Sequence, residues 1–165
     1  MSATDQLLKN AEEYLATFHQ GDLPIPPARK VAIVACMDAR LNPYGILGLS
    51  EGDAHIIRNA GGVITDDQIR SLAISQRILG TEEIILIHHT DCGQMKFSDD
   101  EFREQIRVDT GIKPPWAAEA FEDLDADVRR SIARIQASPF IPVKASVRGF
   151  VYDVHDGTLR EVSPA

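Results

Sequence analysis

Two short stretches hold the side chains most able to do chemistry. One is CMDAR, which carries Cys36, Asp38 and Arg40; the other is HHTDCG, residues 88–93, directly after the greasy run EEIILI. Residues at i, i+2 and i+4 of an extended chain share a face, so a thiol, a carboxylate and a guanidinium can point into one pocket. Read alone, they are equally a buried small cysteine beside a loop ion pair. His89 and Cys92 have H-x-x-C spacing and reach one metal if the chain turns into a helix after the strand. A core histidine beside a core cysteine is the bland alternative. Together, Cys36, His89 and Cys92 form a Cys₂His set drawn from two strand ends. Zinc takes sulfur and nitrogen ligands tetrahedrally, and catalytic zinc takes three protein ligands with one position open. No further cysteine or obvious nearby histidine completes a closed structural site. Asp38 is the candidate for the fourth position, and Arg40 is its rival for that carboxylate, because a guanidinium grips a carboxylate bidentately.

Metal-free cysteine chemistry fits poorly. A cysteine phosphatase needs an arginine six residues after its nucleophile, where Asn42 and Ser98 stand here, and no C-x-x-C redox pair exists. His88 should point to the opposite strand face from His89, and it reads as structural; His55 and His155, in strand or turn contexts, read as structural or solvent-facing. RNAGG (58–62) supplies small residues where backbone approaches a pocket, with Gly61 as the expected substrate-side position; tight packing explains it equally well. Trp116, beside two prolines, reads as a packing or interface residue.

The elements that must position these groups are legible in outline. Apolar residues at 7, 8, 11, 15 and 18 predict a helix over 3–18, a candidate dimerisation arm, followed by a surface linker, GDLPIPPARK. VAIVA (31–35) and EEIILI (82–87) predict buried strands, and AHIIRN (54–59) a second, weaker strand. A helix after GGVIT, capped by Thr65 or Asp66, carries Ile69, Leu72, Ala73, Gln76 and Leu79 along one side and stops at Gly80. Ser98 and Glu101 open another helix with a capping box, which stops at Gly111. Leu124, Val128, Ile132 and Ile135 mark an amphipathic helix that ends before Pro139. SVRGFVYDV, HDG and TLREV read as strand, turn and strand. Strands alternating with helices predict one α/β domain over 1–165, with a mostly parallel central sheet flanked by helices. Ligands bind such sheets at the carboxyl ends of the strands, where both cysteines lie.

The 165 residues carry a formal net charge of −8 and no basic stretch, which disfavours nucleic acid and anionic membranes as partners. The first 18 residues have no apolar core of a signal peptide, and no apolar run approaches the roughly 20 residues of a membrane span. A cytoplasmic protein is therefore expected. In a reducing compartment, its two cysteines favour metal binding or catalysis over a disulfide.

C-x-D-x-R, then R-N-A-G, then H-x-x-C-G occur in the order and at separations similar to those of the β-class carbonic anhydrases. The sequence resembles that family most strongly over residues 30–97, and its overall look is that of the short bacterial, actinobacterial-type members. The resemblance implies a dimer or dimer of dimers and one zinc ion per subunit. It identifies Cys36, His89 and Cys92 with the zinc ligands and Asp38 and Arg40 with the catalytic pair, the aspartate closing the zinc site in some resting forms. It implies reversible hydration of CO₂ to bicarbonate and a proton by hydroxide formed on zinc. Carbonyl sulfide and carbon disulfide are similar linear substrates, so a hydrolase of either is the alternative. A non-enzymatic zinc-binding or assembly protein would fit a broken Asp–Arg pair, but both members are present. Ile33 stands where some members have a tryptophan of an inhibitory bicarbonate pocket, and His88 where glycine is frequent.

Overall fold

Continuous β-branched runs bounded by polar turns build the sheet. In the structure, a computed structural model that describes residues 2–163, the strands are β1 (Val31–Cys36), β2 (Ala54–Asn59), β3 (Glu83–His89), β4 (Ser146–Tyr152) and β5 (Leu159–Val162). They lie in the order β2-β1-β3-β4-β5. β1 pairs in parallel with both β2 and β3, β3 pairs in parallel with β4, and the closing hairpin adds β5 antiparallel. The chain leaves β1 to one side for β2, then crosses to β3 on the other. The carboxyl ends of β1 and β3 therefore flank the point where strand order reverses, the crevice in which open α/β sheets bind ligands.

β3 runs two residues past its apolar stretch. His88 and His89 both pair with β4, opposite Val151 and Tyr152. The backbone ladder continues regardless of side-chain polarity, and one ring nitrogen of each buried histidine is hydrogen-bonded, Nε2 of His88 and Nδ1 of His89.

The helices are α1 (Ala3–Leu15), α2 (Pro43–Leu47), α3 (Asp66–Arg77), α4 (Asp99–Thr110) and α5 (Leu124–Ala137). Thr65 caps α3 in a reciprocal box with Gln68, and Ser98 caps α4 in a box with Glu101. α3 ends at Arg77, three residues before Gly80, which takes the left-handed conformation (φ +72°). α1 ends at Leu15 rather than at residue 18; the Ala16 N–H bonds back to Glu13 and Tyr14, closing the helix.

One apolar layer packs α3 and α5 on the sheet, joining Ile69, Leu72, Val128 and Ile135 to Val34, Ile84 and Leu86. Each fully buried aliphatic side chain there contributes about 1.5–3 kcal/mol. α5 lies close over β4, since a Cβ at Gly149 would overlap Val128. The other layer gathers Ile33, Ala35, Leu41, Val63, Ile87 and Phe121, and both cysteines belong to it. α1 buries none of its residues. Leu7, Leu8 and Leu15 are 66%, 61% and 72% exposed, and the Tyr14 hydroxyl donates to Glu51 at 2.7 Å.

Candidate metal centre

Cys36 is the last residue of β1 and His89 the last of β3, so neighbouring parallel strands deliver both to one end of the sheet. Cys92 follows after a sharp reversal in which Asp91 takes a left-handed φ of +52°. The chain then makes a 3₁₀ turn, Gly93–Met95, rather than the expected helix. Cys36, His89 and Cys92 are all buried, and their three donor atoms lie within 4.8 Å of one another. The two Sγ atoms are 3.9 Å apart, hydrogen-bonded but not joined in a disulfide. Two thiolates on a tetrahedral zinc at 2.3 Å would be about 3.8 Å apart.

The histidine is oriented by its neighbour's backbone. Nδ1 of His89 donates to the Thr90 carbonyl at 2.9 Å, which leaves Nε2 as the acceptor. That Nε2 is buried and has no hydrogen-bond partner. An orphaned buried acceptor costs about 1–3 kcal/mol, and a cation bound between it and the two sulfurs would remove that cost. The donor set suits zinc in number, chemistry and spacing.

Asp38 stands at the edge of the cluster, its Oδ2 3.7 Å from Nε2 of His89. Arg40 grips it bidentately, with Nε donating to Oδ1 at 2.9 Å and Nη2 to Oδ2 at 2.8 Å. The Arg40 backbone N–H also donates to Oδ1. Arg58 straps the same segment from β2, donating to the carbonyls of Cys36 (3.0 Å) and Asp38 (2.7 Å). Gly62 lies against the backbone behind the site. A Cβ there would come within 2.9 Å of the Cys36 nitrogen and 3.1 Å of the Ile87 oxygen, and its φ is +71°. Gly61 is buried too, and its Cβ side is filled by Gln94 and Phe121. Next to Cys36, a groove of about 480 Å³ opens among Met37, Asn59, Val63, Gln94, Phe97 and Trp116.

The sequence model of the family described as carbonic anhydrase matches residues 31–159. Beta-carbonic anhydrase 1 of Mycobacterium tuberculosis is 56% identical over 164 residues, covering 99% of this chain and 100% of that one. The chain belongs to the β-carbonic anhydrase family. The crystal structure of carbonic anhydrase from Streptococcus mutans superposes with a TM-score of 0.93 at 45% identity, covering 99% of each chain. A carbon disulfide hydrolase of Saccharolobus solfataricus is 35% identical, covering 95% of this chain and 87% of that one.

Within this family member, the thiols titrate as a pair. The hydrogen bond from Cys92 is the largest influence on Cys36, and His89 assists it; against burial, they bring the Cys36 thiol down to about 4. The same hydrogen bond, then burial, pushes the Cys92 thiol up. His89 is raised: burial opposes its charge, but the neighbouring Cys36 thiolate prevails. The Arg40 hydrogen bonds hold Asp38 well below the usual carboxylate range, so it is an acceptor at neutral pH.

The remaining histidines lie elsewhere. His88 is fully buried on the other sheet face, and its Nε2 donates to Asp127 Oδ2 of α5 at 2.7 Å. His55 bonds Ser75 at 2.7 Å, and His19 and His155 are exposed. Trp116 is half exposed and leans on Phe102. Sequence reading missed two site neighbours. Arg58 enters the sequence reading within RNAGG and the R-N-A-G motif but with no role of its own, and Asp91 is given none, although it contacts Arg40 through both side chain and backbone. No local signal points to either, because their partners are 20 and 51 residues away.

Proposed function

We propose that this chain is a zinc enzyme that reversibly hydrates CO₂ to bicarbonate and a proton. Cys36, His89 and Cys92 would hold one ion per subunit, and Asp38 and Arg40 would be the catalytic pair. The observation that carries this reading is the unpartnered, buried Nε2 of His89 beside two thiols, with an ionised carboxylate 3.7 Å away. Zinc bound there supplies a Lewis acid that makes bound water acidic enough to act as a nucleophile near neutral pH.

The chain's own groups do the rest. The Thr90 carbonyl fixes the imidazole tautomer, so Nε2 keeps its lone pair for the ion. Asp38 Oδ1 is occupied by the side chain and backbone of Arg40, whereas Oδ2 takes one Arg40 bond. Oδ2 therefore retains a lone pair to accept a hydrogen bond from the attacking water and aim it at carbon. Arg40 keeps Asp38 from becoming the fourth ligand, the position it would take on release.

Stopped-flow CO₂ hydration on zinc-loaded protein tests this. Turnover well above buffer that is lost on chelation and restored by zinc is expected; a stoichiometric zinc protein without turnover would refute it. The kinship with a carbon disulfide hydrolase favours a second reading, in which the same site attacks carbon disulfide or carbonyl sulfide. Side-by-side assays at equal metal loading separate the two.

We also propose a homodimer or tetramer with α1 as the arm, because its apolar residues lie uncovered on one chain. Sedimentation as a monomer at micromolar concentration would refute that. A cytoplasmic location goes with this proposal. Among the described residues, no helix is long and apolar enough to cross a membrane.

A further inference from the structure

Arg40 is tied at two places. Besides its two bonds to Asp38, it donates from Nη1 to Asp91 Oδ2 at 3.1 Å and from Nη2 to the Asp91 carbonyl at 3.0 Å. The other oxygen of Asp91 takes Lys96 Nζ at 2.8 Å. Asp91 makes both contacts to Arg40 while holding a left-handed backbone, with φ at +52°. Few non-glycine residues adopt that conformation, and Asp and Asn are among those that do. The conformation turns the carbonyl and the carboxylate of one residue toward the same guanidinium.

An arginine bonded to Asp38 alone would be free to follow that carboxylate wherever it went. Held on its far side by a second acidic residue, it becomes a fixed post. We infer that Asp91 is a positioning residue: by anchoring Arg40, it sets the balance between Asp38 held on the guanidinium and Asp38 closed onto the metal. This rests on the function proposed above, in which Asp38 and Arg40 serve a bound ion. Asp91 touches neither substrate nor metal in this role and acts only through Arg40. Lys96, on the opposite carboxylate oxygen, keeps Asp91 from rotating away.

Visible absorption of the cobalt(II)-loaded protein tests the inference, because the bands differ between Asp38 and solvent as fourth ligand. Asp38→Asn gives the open reference spectrum and Arg40→Ala the closed one, and each sample is resolved between them. Asp91→Asn keeps the backbone conformation but removes the charge, and it should raise the closed-to-open ratio about two- to fivefold, the range of partly exposed ion pairs. Asp91→Lys, which repels Arg40, should raise it further than Asp91→Asn does. Adding Asp91→Asn to Asp38→Asn should leave the open spectrum unchanged. No movement of the ratio in either single variant overturns the inference, and so does an equal spectral change in the Asp38→Asn background, which would mark residue 91 as merely structural. A wild-type protein that fails to bind cobalt stoichiometrically refutes the proposed function and this inference together; a loaded protein indifferent to residue 91 refutes the inference alone.

Discussion

The buried pair of His88 and Asp127 makes a quantitative claim about stability. Asp127 is 2% exposed; its Oδ2 accepts from His88 and its Oδ1 from Arg130. Asp127→Ala strands a fully buried imidazole N–H, which costs about 1–3 kcal/mol. Asp127 accepts from both His88 and Arg130, so the upper part of that range, roughly 3 kcal/mol, is expected. Arg130 supplies the smaller share, because its side chain is 61% exposed. For a domain of this size, that corresponds to a Tm lower by about 6–12 °C. Asp127→Asn keeps an acceptor but loses the charge, and it should cost only about 1 kcal/mol. The pH dependence has a definite sign. Burial pushes the Asp127 carboxyl up, but the bonds from His88 and Arg130 outweigh it and hold the group below its ordinary value. Its contribution is therefore complete above the unfolded value of about 4 and is lost as pH falls through the lower folded value. Urea unfolding, followed through the single tryptophan, Trp116, should show a wild-type advantage over Asp127→Asn at pH 7 that narrows below about pH 4. No advantage at pH 7, or one that widens on acidification, would refute the reasoning.

Metal uptake should be coupled to protons. Cys36 is already ionised at neutral pH, Cys92 holds its proton and His89 is raised, so loading should expel between one and two protons. Affinity measured by chelator competition should rise about ten- to a hundredfold from pH 6.5 to 7.5, and a flat profile would count against the paired titration. Gly62→Ala forces a left-handed alanine against the Cys36 nitrogen, at about 2 kcal/mol or more of strain; differential scanning calorimetry should show Tm lower by about 4–8 °C, and an unchanged Tm would contradict the tight backing of the site. Arg40→Ala should retain full metal content while CO₂ turnover falls about a hundredfold, because Asp38 is no longer aimed; wild-type turnover would remove Arg40 from the mechanism.

The sheet was most legible where burial on both faces forced an unbroken apolar run, as in β1. β3 was read two residues short because His88 and His89 break the apolar run, although the ladder to β4 continues through them. α2 was missed because five residues are too few to show a period; its signals were local, an Asn42 cap, Pro43 in the first turn and a left-handed Gly48. The convergence of Cys36, His89 and Cys92 followed from spacing and from their place at strand ends. The hold of Arg58 and Asp91 on the segment around Asp38 and Arg40 did not, because it depends on β2 lying beside β1 and on the turn at Asp91. Spacing along the chain encodes neither.

The central claim is that three distant side chains close on one zinc ion and leave a place for solvent. X-ray absorption at the zinc edge of the purified protein tests it most directly. Two sulfurs near 2.3 Å with two nitrogen or oxygen neighbours near 2.0–2.1 Å are the expected shell. Protein that purifies without zinc and refuses it on titration, or a shell holding four sulfurs or none, would contradict the account.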